Sequence, residues 1–92
     1  MAMKNNEVIS EFLAGATTGA NHSKNLRIEG NKLYNYNTII AIKVGDDIYL
    51  NMAKYSPTTS KHQNLIRRYY ATIEVRTEQE LKDILRSNKE VV

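Results

Sequence analysis

The sequence predicts one small α+β domain, in which an N-terminal helix precedes an antiparallel sheet of three or four strands and two further helices pack on that sheet. Two hairpin signals in the middle of the chain predict the sheet. Apolar residues at helical spacing on both sides of it, and a capping sequence near the C-terminus, predict the helices. With 92 residues, the chain has the length of a single domain with a modest core. We expect residues 1–92 to form that domain, with 1–5 and 88–92 frayed.

The first helix is predicted over residues 6–16. Asn6 can cap it, and Glu7 suits its first turn. A polar loop then runs to about Asn25. The apolar side chains recur at the spacing of one buried helix face and are Val8, Ile9, Phe12, Leu13 and Ala16.

A first hairpin is predicted from the segments 26–29 and 32–36, which flank Gly30-Asn31. Glycine at the first central position suits a two-residue type II′ turn. Arg27 and Tyr34 then lie on the opposite side of the sheet from Ile28. The turn implies three facing pairs: Glu29 with Lys32, Ile28 with Leu33, and Arg27 with Tyr34.

A second hairpin is predicted from 38–44 and 48–53, with the turn at 45–47. Strict alternation in its first strand places Ile40, Ile42 and Val44 on one face and Ile39, Ala41 and Lys43 on the other. In its second strand, Ile48, Leu50 and Met52 share a face.

The C-terminal third predicts a helix, a strand and a helix. The second helix begins at Thr58 or Thr59 and ends at Tyr70, with His62, Leu65, Ile66 and Tyr69 toward the core and Lys61, Asn64, Arg67 and Arg68 toward water. The strand spans 72–76 with Ile73 and Val75 inward. Thr77 and Glu80 form a capping box that opens the last helix, whose apolar stripe is Leu81, Ile84 and Leu85.

The segment 55–64 concentrates hydroxyl, lysine, histidine and amide side chains at the start of the second helix. A helix N-terminus has free backbone N–H groups and a partial positive charge, so it attracts anions. The alternative is that Ser, Thr and Pro simply begin the helix, and that an arginine pair near its end complements the helix dipole. The predicted anion- or nucleic-acid-binding residues are Tyr55, Thr58, Thr59, Ser60, Lys61, His62, Arg67 and Arg68.

Charge is unevenly distributed along the chain. The whole chain carries +3, but residues 17–76 hold nine basic against four acidic side chains, a net charge of +5. Six of the seven aromatic residues are tyrosines. Tyrosines mixed with Arg and Lys suit nucleic acid, and equally suit a protein interface. We therefore expect nucleic acid, or the acidic surface of a host nucleoprotein, as partner; the alternative is an ordinary mixed solvated surface.

The composition gives little support for catalysis. Cysteine is absent, and no Gly-rich phosphate loop or metal-ligand spacing occurs. We expect no enzyme activity, no cofactor and no metal. The alternative is a small enzyme in which His62 acts as general acid or base. No apolar run long enough to cross a membrane is present, and we expect a cytoplasmic location.

The segments 33–41 and 54–62 resemble small proteins of bacteriophages and related mobile elements that have a Tyr-x-Thr-x-Ile-Ala strand and a Tyr-Ser-x-Thr-Thr-Ser-Lys-His segment. That group has no assigned activity. The resemblance implies a phage-type binding module acting in a bacterial host cell, with an anti-CRISPR-like inhibitor of host defence as one form. The order of elements over 6–70 also resembles a double-stranded-RNA-binding domain, without its Lys-Lys-x-Ala-Lys motif. A protein–protein inhibitor without nucleic-acid contact is the main alternative function.

Overall fold

The computed structural model describes residues 4–53 and 57–91, with side chains at all of these positions except 58 and 88–91. This part of the chain forms three α-helices and six β-strands, so the predicted α+β class is confirmed and the predicted three or four strands understate the sheet. The helices are α1 Asn5–Leu13, α2 Pro57–Tyr69 and α3 Glu78–Val91. The strands are β1 Thr18–Ala20, β2 Leu26–Glu29, β3 Lys32–Asn35, β4 Thr38–Val44, β5 Asp47–Asn51 and β6 Thr72–Val75.

All six strands form one sheet in the order β1-β2-β3-β4-β5-β6. The first five pair antiparallel with their neighbours, whereas β6 pairs parallel with β5 because α2 carries the chain back across the sheet. The sequence placed β1 in a loop. Its three residues have no apolar alternation, and its pairing with β2 is what makes it a strand. The helix–three strands–helix order that resembles a double-stranded-RNA-binding domain does not include β1, β6 or α3.

The first hairpin has the predicted register, with all three facing pairs as expected. Gly30 has φ +65°, and Asn31 is not among the residues with positive φ. Because a type I′ turn needs positive φ at both positions, this pattern favours type II′. Arg27 and Tyr34 share one face of the sheet, as predicted, and the guanidinium carbon lies 4.6 Å from the ring centroid.

A β-bulge in β4 overturns the face assignment made from alternation. Leu33 pairs with Ala41 and Tyr34 with Ile39, so Ile40 is the extra residue of β4. Ile40 therefore faces the same core as Ala41, and Ile39 faces the opposite one. The prediction was wrong for Ile39 and Ile40 because a bulge inverts the alternation on one side of it.

Two hydrophobic cores lie on the two faces of the sheet. On the first face, α1 and α2 cover the sheet, and on the second face α3 packs on β4, β5 and β6. The first core contains Val8, Ile9, Phe12, Leu26, Ile28, Leu33, Ile40, Ala41, Ile48, Leu50 and Ile66. The second contains Ile39, Ile42, Val75 and Leu81, with Tyr34, Val44, Tyr49, Ile84 and Leu85 packed against them.

Helix α1 begins and ends earlier than predicted. The backbone N–H of Lys4 donates to Glu7 Oε1 at 2.9 Å, so Lys4 and not Asn6 stands at the cap position. The helix ends at Leu13, and Ala16 packs against the first core from the following loop.

Several predictions on α2 and β6 are confirmed and two are wrong. His62 and Ile66 are buried, Leu65 packs against the first core, and the four residues expected toward water are exposed. Tyr69, however, is 57% exposed in the last turn of α2. Ile73 is 45% exposed because β6 is an edge strand.

Helix α3 begins as predicted at its cap. Thr77 Oγ1 accepts the backbone N–H of Glu80 at 3.3 Å. Glu80 Oε2 accepts the N–H of Arg76 at 3.3 Å rather than that of Thr77, one position before a standard capping box. The predicted stripe of Leu81, Ile84 and Leu85 faces the second core, and the helix extends to Val91.

Candidate functional site

The predicted site at the start of α2 is divided between the core and the surface. Pro57 is the first helical residue, where its missing N–H costs nothing. Lys61 is exposed and Ser60 half-buried. Tyr55 and the side chain of Thr58 lie outside the described residues.

Thr59 faces inward. Its side chain is 3% exposed, and its hydroxyl donates to the buried side-chain oxygen of Asn35 at 2.5 Å. In this conformation Thr59 ties α2 to β3 and does not contribute to the surface that an external anion would meet.

His62 also faces inward, one helical turn further on. It is 4% exposed, and its Nε2 has no hydrogen-bond partner within the described part of the chain. Burial lowers the pKa of His62, and the neighbouring Lys61 ammonium lowers it further. The imidazole is therefore held neutral, and nothing in the described structure pairs it with a base or carboxylate for proton transfer.

The cations of α2 lie on its outer side. Arg67 Nε is 3.4 Å from Glu74 Oε2 on β6, a surface ion pair that offsets part of its charge. Arg68 is exposed. The structure thus leaves Lys61, Arg67 and Arg68 on the surface, and their role in anion binding remains a prediction.

A second polar and aromatic surface lies on the other face of the sheet. Helix α3 packs there on β4 to β6, and beside it β2 and β3 present Arg27, Glu29, Lys32 and Tyr34. This surface ends in a cleft of about 430 Å³ between the β1–β2 loop and the β3–β4 turn. We call it the loop–turn cleft; it is lined by Ser23, Lys24, Asn25, Arg27, Tyr36 and Asn37.

Arg27 organises one wall of the loop–turn cleft. Its Nε donates to Glu29 Oε2, and its Nη1 donates to the backbone oxygen of Tyr36 at 2.5 Å. Its guanidinium also lies over the ring of Tyr34. The ring and the carboxylate hold the guanidinium in place, which favours a fixed cation at this wall.

A network of asparagines holds the β1–β2 loop, which lines the loop–turn cleft with Asn25. Asn21 Nδ2 donates to Asn5 Oδ1 at 2.8 Å and to Asn25 Oδ1 at 2.7 Å. Asn35 Nδ2 donates to the backbone oxygen of Asn25 at 3.1 Å, and Thr59 joins the network through Asn35. The network therefore links α1, the β1–β2 loop, β3 and α2.

Both non-glycine residues with positive φ in the described chain line this cleft: Lys24 at +60° and Tyr36 at +58°. This backbone region is uncommon for residues with a side chain, and strain of this kind concentrates at functional sites. Tyr36 is 56% exposed at the rim.

The described side chains give no sign of a metal centre. No group of three or more His, Cys, Asp or Glu residues lies close enough to hold a metal ion in that part of the chain. Among the described helices, none is long and apolar enough to cross a membrane.

Comparison with known families matches residues 3–83 to a family of unknown function, DUF8033. The chain belongs to this family. Comparison with curated proteins and with solved structures gave no match. This match shows a family of unknown function, and it shows no phage or anti-CRISPR assignment.

The sequence identified some components of the loop–turn cleft without identifying the cleft. The hairpin register predicted that Arg27 faces Tyr34. Lys24 and Asn25 lie in a segment for which the sequence predicted only a loop. Two positive φ angles and a backbone contact between Tyr36 and Asn25 assemble the cleft, and no residue pattern indicates either.

Proposed function

We propose that this protein is a non-enzymatic module that binds nucleic acid through a basic face. The observation that supports the proposal best is the loop–turn cleft, where Lys24 and Arg27 lie beside the exposed ring of Tyr36. Cations attract phosphates, and an exposed ring can stack on a base. Among the described surfaces, this cleft combines both in one place.

The start of α2 is the competing location for the same function. Lys61 and Arg68 are exposed there, but α2 packs on the first face of the sheet, whereas Arg27 lies on the second. One short segment of a ligand cannot contact both faces of the sheet at once. Single substitutions therefore separate the two locations.

Fluorescence anisotropy with single- and double-stranded RNA and DNA at low salt tests the proposal. We expect binding that weakens steeply as salt rises, because phosphate neutralisation releases counterions. Lys24→Asn removes a charge at a position that asparagine tolerates at positive φ, and should weaken binding. Lys61→Ala is the matched loss of an exposed lysine on the other face and should leave affinity unchanged. Absence of binding to all four nucleic acids would refute the proposal; a loss confined to Lys61→Ala would move the site to α2.

Protein–protein inhibition is the second candidate, and the exposed tyrosines at the end of α2 favour it. Tyr69 is 57% exposed in the last turn of α2, and Tyr70, the next residue, is 37% exposed. Tyrosine is enriched in interface hot spots. The proposed partner is a host nucleoprotein, because residues 33–62 resemble small proteins of bacteriophages, which act in a bacterial host. Capture of a partner from host lysate that survives nuclease treatment and is lost in Tyr69→Ala would favour this candidate.

The non-enzymatic part of the proposal rests on His62. The imidazole is 4% exposed, so little of it can reach a substrate, and its Nε2 has no hydrogen-bond partner among the described residues. Hydrolysis of nucleic acid that disappears in His62→Gln, with the fold intact by circular dichroism, would contradict it.

A further inference from the structure

We infer that the loop–turn cleft holds one nucleotide of a single strand, with the base against Tyr36 and the phosphate at Lys24 and Arg27. The inference rests on the proposed nucleic-acid binding and adds the strand type and the position of the base. Both residues that would contact the nucleotide from the rim, Lys24 and Tyr36, are held at positive φ, at a cost that a sequence selected for stability alone would avoid with glycine or asparagine.

The cleft is built before any ligand arrives. Tyr36 N–H donates to the backbone oxygen of Asn25 at 2.6 Å, which joins the turn to the loop. Arg27 Nη1 donates to the carbonyl oxygen of Tyr36, which fixes the other end of the same residue. The backbone N–H of Lys24 donates to the oxygen of Asn21, whose side chain is anchored in the asparagine network. A preformed site of this kind loses little conformational entropy on binding.

The size and chemistry of the cleft fit a nucleotide unit. Its volume is about 430 Å³, and it is open to solvent along one side rather than enclosed. Three of the five Arg27 N–H donors have no partner among the described residues, so the guanidinium can contact a phosphate oxygen while it keeps its present bonds. The amides of Asn25 and Asn37 and the hydroxyl of Ser23 can contact base or sugar edges.

Tyr36 decides between strand types. In a duplex, each base is already stacked between its neighbours, and its face is not available to a ring on the protein surface. A single strand offers free base faces, on which an exposed ring stacks without sequence preference. A ring at the rim of a cleft therefore favours a single strand.

A substitution at Glu29 should strengthen binding, whereas the other substitutions weaken it. Its carboxylate accepts from Arg27 Nε and brings a negative charge to the same wall. Glu29→Gln keeps an oxygen that can accept this hydrogen bond and removes the charge. It should therefore strengthen binding, whereas a cleft without phosphate contacts would not respond.

The experiment measures Kd for three probes by fluorescence anisotropy: a labelled 12-nucleotide single strand, a duplex of the same length, and a single strand with abasic sites in its middle. The first probe is also measured at raised salt. Tyr36→Leu should weaken single-strand binding at least about fivefold, in line with the loss of one stacked base. Tyr36→Phe should restore it. Tyr69→Leu is the matched control, since Tyr69 is 57% exposed against 56% for Tyr36. Thermal melting shows that each variant is folded.

The outcomes separate this inference from the proposed function. Tighter binding of the intact single strand than of the duplex and the abasic strand, lost in Tyr36→Leu but not in Tyr69→Leu, supports the inference. Equal, salt-dependent binding of duplex and single strand that Lys24→Asn weakens would leave the proposed function standing and overturn the inference. Absence of binding to every probe would overturn both.

Discussion

Replacement of Thr59 by valine distinguishes a structural role of the α2 start from a ligand-binding one. Thr59 is 3% exposed, and its hydroxyl donates to the side-chain oxygen of Asn35, which is itself 2% exposed. Valine keeps the shape of the side chain and removes this donor. A buried polar group that loses its partner costs about 1–3 kcal/mol of folding free energy. In a domain of this size each kcal/mol shifts the melting temperature by about 4–8 °C.

Thermal and urea unfolding, followed by circular dichroism without ligand, measures the effect. We expect Thr59→Val to lower the free energy of unfolding by about 1–3 kcal/mol. Thr18→Val, at the exposed first position of β1, is the matched control and should stay within about 0.5 kcal/mol of the wild type. If Thr59 acts only on an external anion, valine leaves unfolding unchanged and weakens binding. A Thr59→Val protein as stable as the Thr18→Val protein would refute the structural role.

Three further predictions concern pH, backbone strain and capping. Because burial lowers the pKa of His62, the unfolded chain takes up a proton near the ordinary pKa of 6.5 before the folded state does. The free energy of unfolding therefore falls as pH drops from 7.5 to 5. His62→Leu should make this dependence of the urea-unfolding free energy on pH shallower, and an unchanged dependence would contradict the prediction. Tyr36→Gly relieves positive φ and should not lower the melting temperature, although glycine loses more entropy on folding; a clear drop would show that the backbone is not strained. Thr77→Ala removes the bond to the Glu80 N–H and should cost about 1 kcal/mol in the same assay, with no loss if the cap is dispensable.

The local parts of the fold could be predicted from the sequence. A two-residue turn with Gly30 at its first position sets the register of the hairpin around it, because turn geometry and alternation allow one pairing. Likewise, Thr77 and Glu80 mark the start of α3, since capping depends on residues three apart. These features depend on short-range geometry, which is why residue types alone predict them.

Features that depend on distant partners could not be predicted. The bulge at Ile40 inverts the faces of β4, and only the pairing of β3 with β4 reveals it. β1 becomes a strand because β2 offers it an edge. Alternation predicts that Ile73 belongs to a core, yet β6 is the last strand of the sheet and nothing described covers its outer edge. Alternation identifies the faces of a strand but not its position in the sheet.

The polar segment at the start of α2 shows how one pattern can serve two purposes. Thr59, His62, Gln63 and Ile66 are spaced as i, i+3, i+4 and i+7, which is the buried stripe of a helix, and all four are buried. Three of them are polar because the layer beneath α2 contains polar groups. Gln63 Nε2 donates to the backbone oxygens of Asn51 at 2.5 Å and Ala53 at 3.0 Å, at the end of β5, where the ladder no longer supplies partners.

Polar residues on a helix face are usually taken as solvent- or ligand-directed, and composition cannot separate that role from the satisfaction of strand ends in a core. The two roles are separated by what a substitution changes. A buried polar partner changes stability without ligand, whereas an exposed cation such as Lys61 changes affinity and leaves stability nearly constant. By this criterion we expect Thr59 and Gln63 to belong to the fold, and the binding measurement alone decides between Lys61 and Lys24 as the phosphate contact.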